Sequence, residues 1–130
     1  MKAGDKFTET FRVTDEIYKG FIDLFQDKNF MHMDDEKAQE RGFKSKIMHG
    51  NILNGFISFF IGECLPVKTI IIHKQTIQYR NPIFLNDILD FEAKINGVHE
   101  SVNAVEFIYK FKNTKAKVVA KGDFQIGILR

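Results

Sequence analysis

The chain of 130 residues has no tryptophan, only two prolines and a single cysteine. Cys64 alone can form no internal disulfide, so the fold is not a disulfide-stapled one and a reducing cytoplasm suits it. Its apolar neighbours mark it as a small buried hydrophobe rather than a nucleophile. No long hydrophobic run is present. The most apolar stretch, "ILNGFISFFIGECL" (52–65), is broken by Asn54, Ser58 and Glu63, which argues against a membrane span. The opening "MKAGDKFTETF" lacks the apolar core of a signal sequence. One-signed charge is lacking too: the net charge is +2, with lysines interleaved among acids. That excludes the basic stripe expected of a nucleic-acid binder. No repeat, low-complexity tract or linker interrupts the chain, which reads as one domain over 1–130. Phenylalanine is abundant, with fourteen copies, so the core is bulky and almost free of polar handles.

Periodicity orders the elements. "KFTETFRV" (6–13) alternates, setting Phe7, Phe11 and Val13 against Lys6, Thr8, Thr10 and Arg12 as a strand does. Thr14 reads as an N-cap, with Asp15 and Glu16 in the first turn of a helix reaching Phe25. An irregular loop follows, then a short polar helix "DEKAQER", capped by Asp34 or Asp35 and stopped at Gly42. From His49 to Leu65 apolar residues surround nearly the whole helix circumference, which predicts a buried helix. Asn51, Gly55, Ser58 and Gly62 form its one small or polar stripe. After Pro66 the period changes to two. Segments 69–80, 87–97, 101–113 and 116–129 read as four strands, punctuated by Asn81-Pro82, Asn96-Gly97 and Asn113. A sheet with its helices gathered on one face is an α+β architecture.

Within this frame "DKNFMHMD" (27–34) is unusual. Asp27, Asn29 and His32 stand among Leu24, Phe25, Phe30, Met31 and Met33, and buried charge is costly unless paired. The mixture fits polar groups held at the mouth of an apolar pocket. Taken alone, Asp27 and Asn29 are ordinary turn formers, and His32 an ordinary loop histidine. Asp27, His32, Asp34 and His49 could tempt a metal assignment. No H-x-x-x-H or cysteine pair sets a coordination geometry, so no metal site is expected. No nucleophile elbow surrounds Ser45, Ser58 or Ser101. His73 and His99 have no matching partner.

Together, "DKNFMH" (27–32), "GFKSKIMHGNILNGFIS" (42–58) and "YRNPIFLNDILDFEAKI" (79–95) resemble the MaoC-like (R)-specific enoyl-thioester hydratases. That family carries D-x-N-P-x-H in a loop, "HG" opening a buried helix, and an aromatic strand leading into P-V-x-x-G-D. Two positions depart from the pattern: Phe30 stands for proline, removing a rigid φ, and Asn86 for glycine. Asn tolerates left-handed angles, so the second change is mild. The resemblance implies a hotdog fold, a curved antiparallel sheet of about five strands wrapped around the long helix. Open sheet edges then predict a homodimer or higher homo-oligomer.

The resemblance further implies that Asp27 and His32 are the acid–base pair, able to hold one water and tuned by the site. Which of the two is the base stays open at this level. The Gly50 N–H, at the start of the helix, would stabilise an enolate-like oxygen. Asn29 would brace the loop, and Ser58 would bond the catalytic aspartate, against the plain alternative that it bonds its own backbone. Read from its position alone, His49 could be a ligand or base, but at a helix start it reads as a structural hydrogen-bonding group. No cofactor is implied beyond the substrate's carrier, coenzyme A or acyl carrier protein. Lys44, Lys46 and Lys68 are candidates to meet its phosphates, against the alternative of ordinary solvated lysines. Because fold does not decide function, two other readings stand beside hydration: thioester hydrolysis, and a non-catalytic acyl-binding subunit.

Overall fold

The computed structural model describes all 130 residues. Strand β1 (Lys6–Arg12) leads through Val13 into α1 (Asp15–Phe25), where the Thr14 hydroxyl accepts the Ile17 N–H at 3.1 Å. Two short helices follow, α2 (Phe30–Met33) and α3 (Asp35–Glu40), and then α4 (Ile52–Phe59), which runs on into a π turn at Phe60–Cys64. The remaining chain forms β2 (Ile70–Gln75), β3 (Gln78–Tyr79), β4 (Ile88–His99), β5 (Ala104–Lys112) and β6 (Val118–Ile128). All pairings are antiparallel, in the order β1-β4-β5-β6-β2, with β3 also on β6. This is the hotdog arrangement, with six strands.

Alternation along the strands builds the core. Leu89, Phe91, Ala93 and Ile95 of β4 face inward with Val105, Phe107, Tyr109 and Phe111 of β5 and with Phe124 and Ile126 of β6, all of them buried. Phe60, on the π turn, fills the centre, with ring centroids 4.8 Å from Phe91, 5.9 Å from Phe7 and 6.3 Å from Phe124. Burying each such ring contributes about 2–3 kcal/mol. Phe56 of α4 stacks on Phe11 of β1 at 4.5 Å, joining the helix to the edge of the sheet.

Three details differ from the sequence reading. Residues 69–80 are two strands, because Thr76 bends over β6: its carbonyl accepts the Tyr109 hydroxyl at 2.7 Å, and its N–H and hydroxyl bond Asp123 at 2.9 Å. The helix expected over 49–65 begins three residues later and is not buried all round. Asn51, Gly55, Ser58, Phe59 and Gly62 are exposed along one face. The loop after α1 contains a full helical turn, α2. Asn86 takes a left-handed φ of 69°, the conformation that glycine would adopt there without strain and that asparagine tolerates.

Candidate active site

Helix α1 ends at Gln26, which adopts a left-handed φ of 62° while its N–H still bonds the Ile22 carbonyl. That reversal turns Asp27 back toward the body of the protein. The Asp27 Oδ1 accepts the Asn29 N–H at 3.2 Å, and the Asn29 Oδ1 accepts the Met31 N–H at 3.0 Å. Each is a short polar side chain satisfying the backbone two residues on. Asn29 is thereby the N-cap of α2 and Phe30 its first helical residue. Proline is favoured at that first position because the N–H there has no partner within the helix. Phe30 therefore occupies a position that a proline could also take, and the Asn29 side chain braces the loop.

His32 is carried on α2. Its Nδ1 lies 2.9 Å from the Ile47 carbonyl, which can only accept, so the proton is on Nδ1. The Nε2 lone pair is left facing Asp27, 3.8 Å from Oδ2. The Tyr18 hydroxyl donates to the His32 carbonyl at 2.5 Å, and the Ile47 N–H donates to the Met31 carbonyl at 3.0 Å. His32 is mostly buried, its side chain 18% exposed, whereas that of Asp27 is 49% exposed.

The segment before α4 closes the site. His49 is buried; its Nε2 donates to the Asp27 carbonyl at 2.9 Å, and its ring stacks on His32 at 4.0 Å. Gly50 follows at the helix start, and its N–H meets no acceptor within the protein. The Tyr79 ring lies close against Gly50, so that a Cβ there would approach Tyr79 Cε1 to 2.8 Å. The Tyr79 hydroxyl is within 3.2 Å of both the Asn51 Oδ1 and the Asn54 Nδ2.

Asp27 stands where two cavities meet. One, of about 480 Å³, is lined by His32, His49, Gly50, Tyr79 and Pro82 among others. The second, of about 850 Å³ and largely apolar, lies between α1 and α4 against Ile17, Phe21, Leu24, Phe25 and Phe56. Asp27, His32 and His49 each offer a metal-ligating atom within 4.8 Å of the others. Yet the imidazoles are stacked, with an interplanar angle of 29°. Their in-plane lone pairs run side by side rather than converge, which suits proton handling better than coordination.

Asp27, Asn29, His32, His49 and Gly50 are thus brought together. Ser58 is not. It lies on the exposed face of α4, and the Asp27 carboxylate makes its contacts with the Asn29 N–H and toward His32 instead. Lys46 lies over the Tyr18 ring at 4.8 Å and Lys44 over Phe84 at 4.4 Å, while Lys68 donates to the Glu63 carbonyl at the far end of the π turn. Tyr18, the Ile47 carbonyl and Tyr79 were not found by sequence reasoning. Tyr18 reads only as a helix-face aromatic, and a carbonyl leaves no trace in side-chain identity. Burial raises the Cys64 thiol above its usual range, with Glu9 adding to the effect, which fits a non-reactive cysteine.

A family model described as MaoC like domain matches residues 3–117. The chain belongs to the MaoC-like family. A mitochondrial 3-hydroxyacyl-[acyl-carrier-protein] dehydratase from Arabidopsis thaliana is 27% identical over 126 residues, covering 95% of this chain and 75% of that protein. An (R)-specific enoyl-CoA hydratase from Rhodospirillum rubrum is 30% identical over 107 residues, covering 82% of this chain and 74% of that one. Among solved structures, the (R)-hydratase from A. caviae superposes with a TM-score of 0.91 at 22% identity, covering 99% of this MaoC-like chain and 98% of its own. No helix is long and apolar enough to cross a membrane.

Proposed function

We propose that this MaoC-like protein is a hydratase/dehydratase that adds water reversibly to a trans-2-enoyl thioester, giving the (R)-3-hydroxyacyl thioester. The observation that carries the reading is the 3.8 Å gap between the His32 Nε2 lone pair and the Asp27 Oδ2. It is too long for a direct hydrogen bond, and one water oxygen fits within hydrogen-bonding reach of both. His32 takes a proton from that water, whose oxygen bonds to Cβ. The π electrons move to the thioester oxygen, beside the free Gly50 N–H, and the proton then returns to Cα through Asp27. Dehydration runs the same steps backward. The carrier is coenzyme A or acyl carrier protein, with Lys46 the lysine best placed near the site. A second copy of the chain is expected to cover the exposed Leu24, Phe25 and Phe59 around the α1–α4 groove, or Ile71 and Ile72 on the β2 edge.

The test follows loss of the conjugated enoyl-thioester absorbance with crotonyl-CoA, and with an acyl-carrier-protein thioester. Asp27→Asn and His32→Ala should each lower kcat by about 10²–10⁴-fold with the circular dichroism spectrum unchanged. Release of free thiol without hydration would make the protein a thioesterase and overturn the reading.

A further inference from the structure

His49 is the most unusual side chain in the site. It is the one buried polar residue of the chain, 2% exposed, and its Nδ1 is the one buried side-chain polar atom with no hydrogen-bond partner. Its Nε2–H donates to the Asp27 carbonyl at 2.9 Å, which fixes the tautomer and leaves the Nδ1 lone pair unused. Other rings pack closely around the imidazole. Phe21 lies 4.7 Å away and His32 4.0 Å away, centroid to centroid, with Tyr18 at 6.0 Å. Stability alone would not keep such a group. A phenylalanine would fill the same space without an orphaned nitrogen, and a buried polar atom left unpaired calls for a reason.

The reason lies in what the other nitrogen and the ring face hold. The segment 47–49 grips both members of the acid–base pair: the Ile47 carbonyl takes the His32 Nδ1–H, the Ile47 N–H holds the Met31 carbonyl, and His49 holds the Asp27 carbonyl. The Met48 N–H anchors this segment to the Ile83 carbonyl at 2.8 Å. We propose that His49, as its Nε2–H tautomer, is the positioning residue that sets the distance between Asp27 and His32. Its N–H holds the aspartate's backbone, and its ring is the surface against which the His32 imidazole rests. If the pair closed to a direct hydrogen bond it would expel the water held between them; if it opened, one water could no longer touch both. The inference deepens the hydratase reading and rests on it for its kinetic consequence, but the geometric claim stands without turnover.

Two substitutions separate the functions of the side chain. His49→Phe keeps a flat ring against His32 and removes the donor. His49→Gln keeps an N–H near the Nε2 position and removes the ring. Supporting residues of this kind typically change activity 10–100-fold. The expected result is a fall of kcat by about tenfold or more in His49→Phe with KM within about threefold, and partial recovery in His49→Gln. The imidazole ¹⁵N spectrum of the wild-type protein should show His49 protonated on Nε2 and His32 on Nδ1. The backbone amide resonances of residues 27–32 should shift in His49→Phe. Wild-type kcat in folded His49→Phe, or a His49 ring protonated on Nδ1, overturns the proposal. If the wild-type protein hydrates no thioester, the hydratase reading fails, and the two spectra alone decide the positioning role. Unmoved 27–32 resonances then overturn it, and displaced ones support it.

Discussion

Gly50→Ala is the sharpest probe of how the start of α4 is built. The new methyl would sit 2.8 Å from Tyr79 Cε1, 3.1 Å from Cδ1 and 3.3 Å from Cζ, inside ordinary carbon–carbon contact of about 3.5–4.0 Å. Gly50 does not have a positive φ, so the cost comes from crowding and not from backbone strain. Tyr79 is 49% exposed and can swing outward, but it then gives up its hydroxyl contacts to Asn51 and Asn54, each 3.2 Å. Each is worth about 0.5–1.5 kcal/mol, and solvent replaces part of that at an exposed site. The expected loss is about 1–2 kcal/mol, a fall of about 5 °C in Tm for a chain of this size. Thermal denaturation of the wild type, Gly50→Ala, Tyr79→Ala and the double variant closes the cycle. In the Tyr79→Ala background the same methyl should cost less than about 0.5 kcal/mol, because nothing remains for it to meet. An equal cost in both backgrounds would show that Tyr79 crowding is not the cause and would refute the reasoning.

Other perturbations test other levels of the structure. Tyr18→Phe strands the His32 carbonyl, which the Tyr18 hydroxyl now satisfies; a loss of about 1–3 kcal/mol in chemical denaturation is expected, together with a reduced kcat. Gly122→Ala drives a Cβ into the Thr76 carbonyl oxygen and to 2.8 Å from the Tyr109 hydroxyl, so β2 and β3 must shift; about 3–4 kcal/mol of destabilisation is expected, at the upper end for single substitutions. Burial holds the Tyr109 phenol well above its ordinary value of 10.0, with Tyr79 and Asp123 adding to the effect. Above that value the unfolded chain gives up the proton while the folded chain keeps it. Stability from this group is therefore complete below about pH 10 and declines above it, by up to about 1.4 kcal/mol per pH unit. Denaturation of Tyr109→Phe across pH 9–11 should show a correspondingly shallower decline than the wild type.

Much of the fold was legible because a pleated sheet writes itself into sequence. Phe91, Ala93 and Ile95 alternate with polar neighbours, and so do Val105, Phe107, Tyr109 and Phe111, and these residues form the buried face. What was not legible depends on contacts between distant residues. The break after Gln75 is imposed by Gly122, Tyr109 and Asp123, none of them near it in the chain. The exposure of Ser58 was hidden because Phe59, which shares its open face, reads as core in a helix apolar nearly all round. Helix α2 is one turn, too short for any periodicity to announce. In the candidate site, Asp27, His32, His49 and Gly50 were singled out by their pattern, and the structure sets them around one cavity. Tyr18 and Tyr79 were not, since each acts through a single hydroxyl placed by tertiary structure.

The loop that carries Asp27 and His32 is gripped chiefly at its own main-chain carbonyls. The carbonyls of Asp27, Met31, His32 and Ile47, with the Ile47 N–H, take or make the bonds that hold it. A clamp of this kind does not read side chains. Positions 28, 30 and 31 are therefore open to substitution, or to randomisation in a library, while the spacing of Asp27 and His32 stays put. On the proposed reading, the walls of the site can then change without moving Asp27 and His32, and Phe30, standing where relatives of this family usually carry proline, is a substitution at one such position.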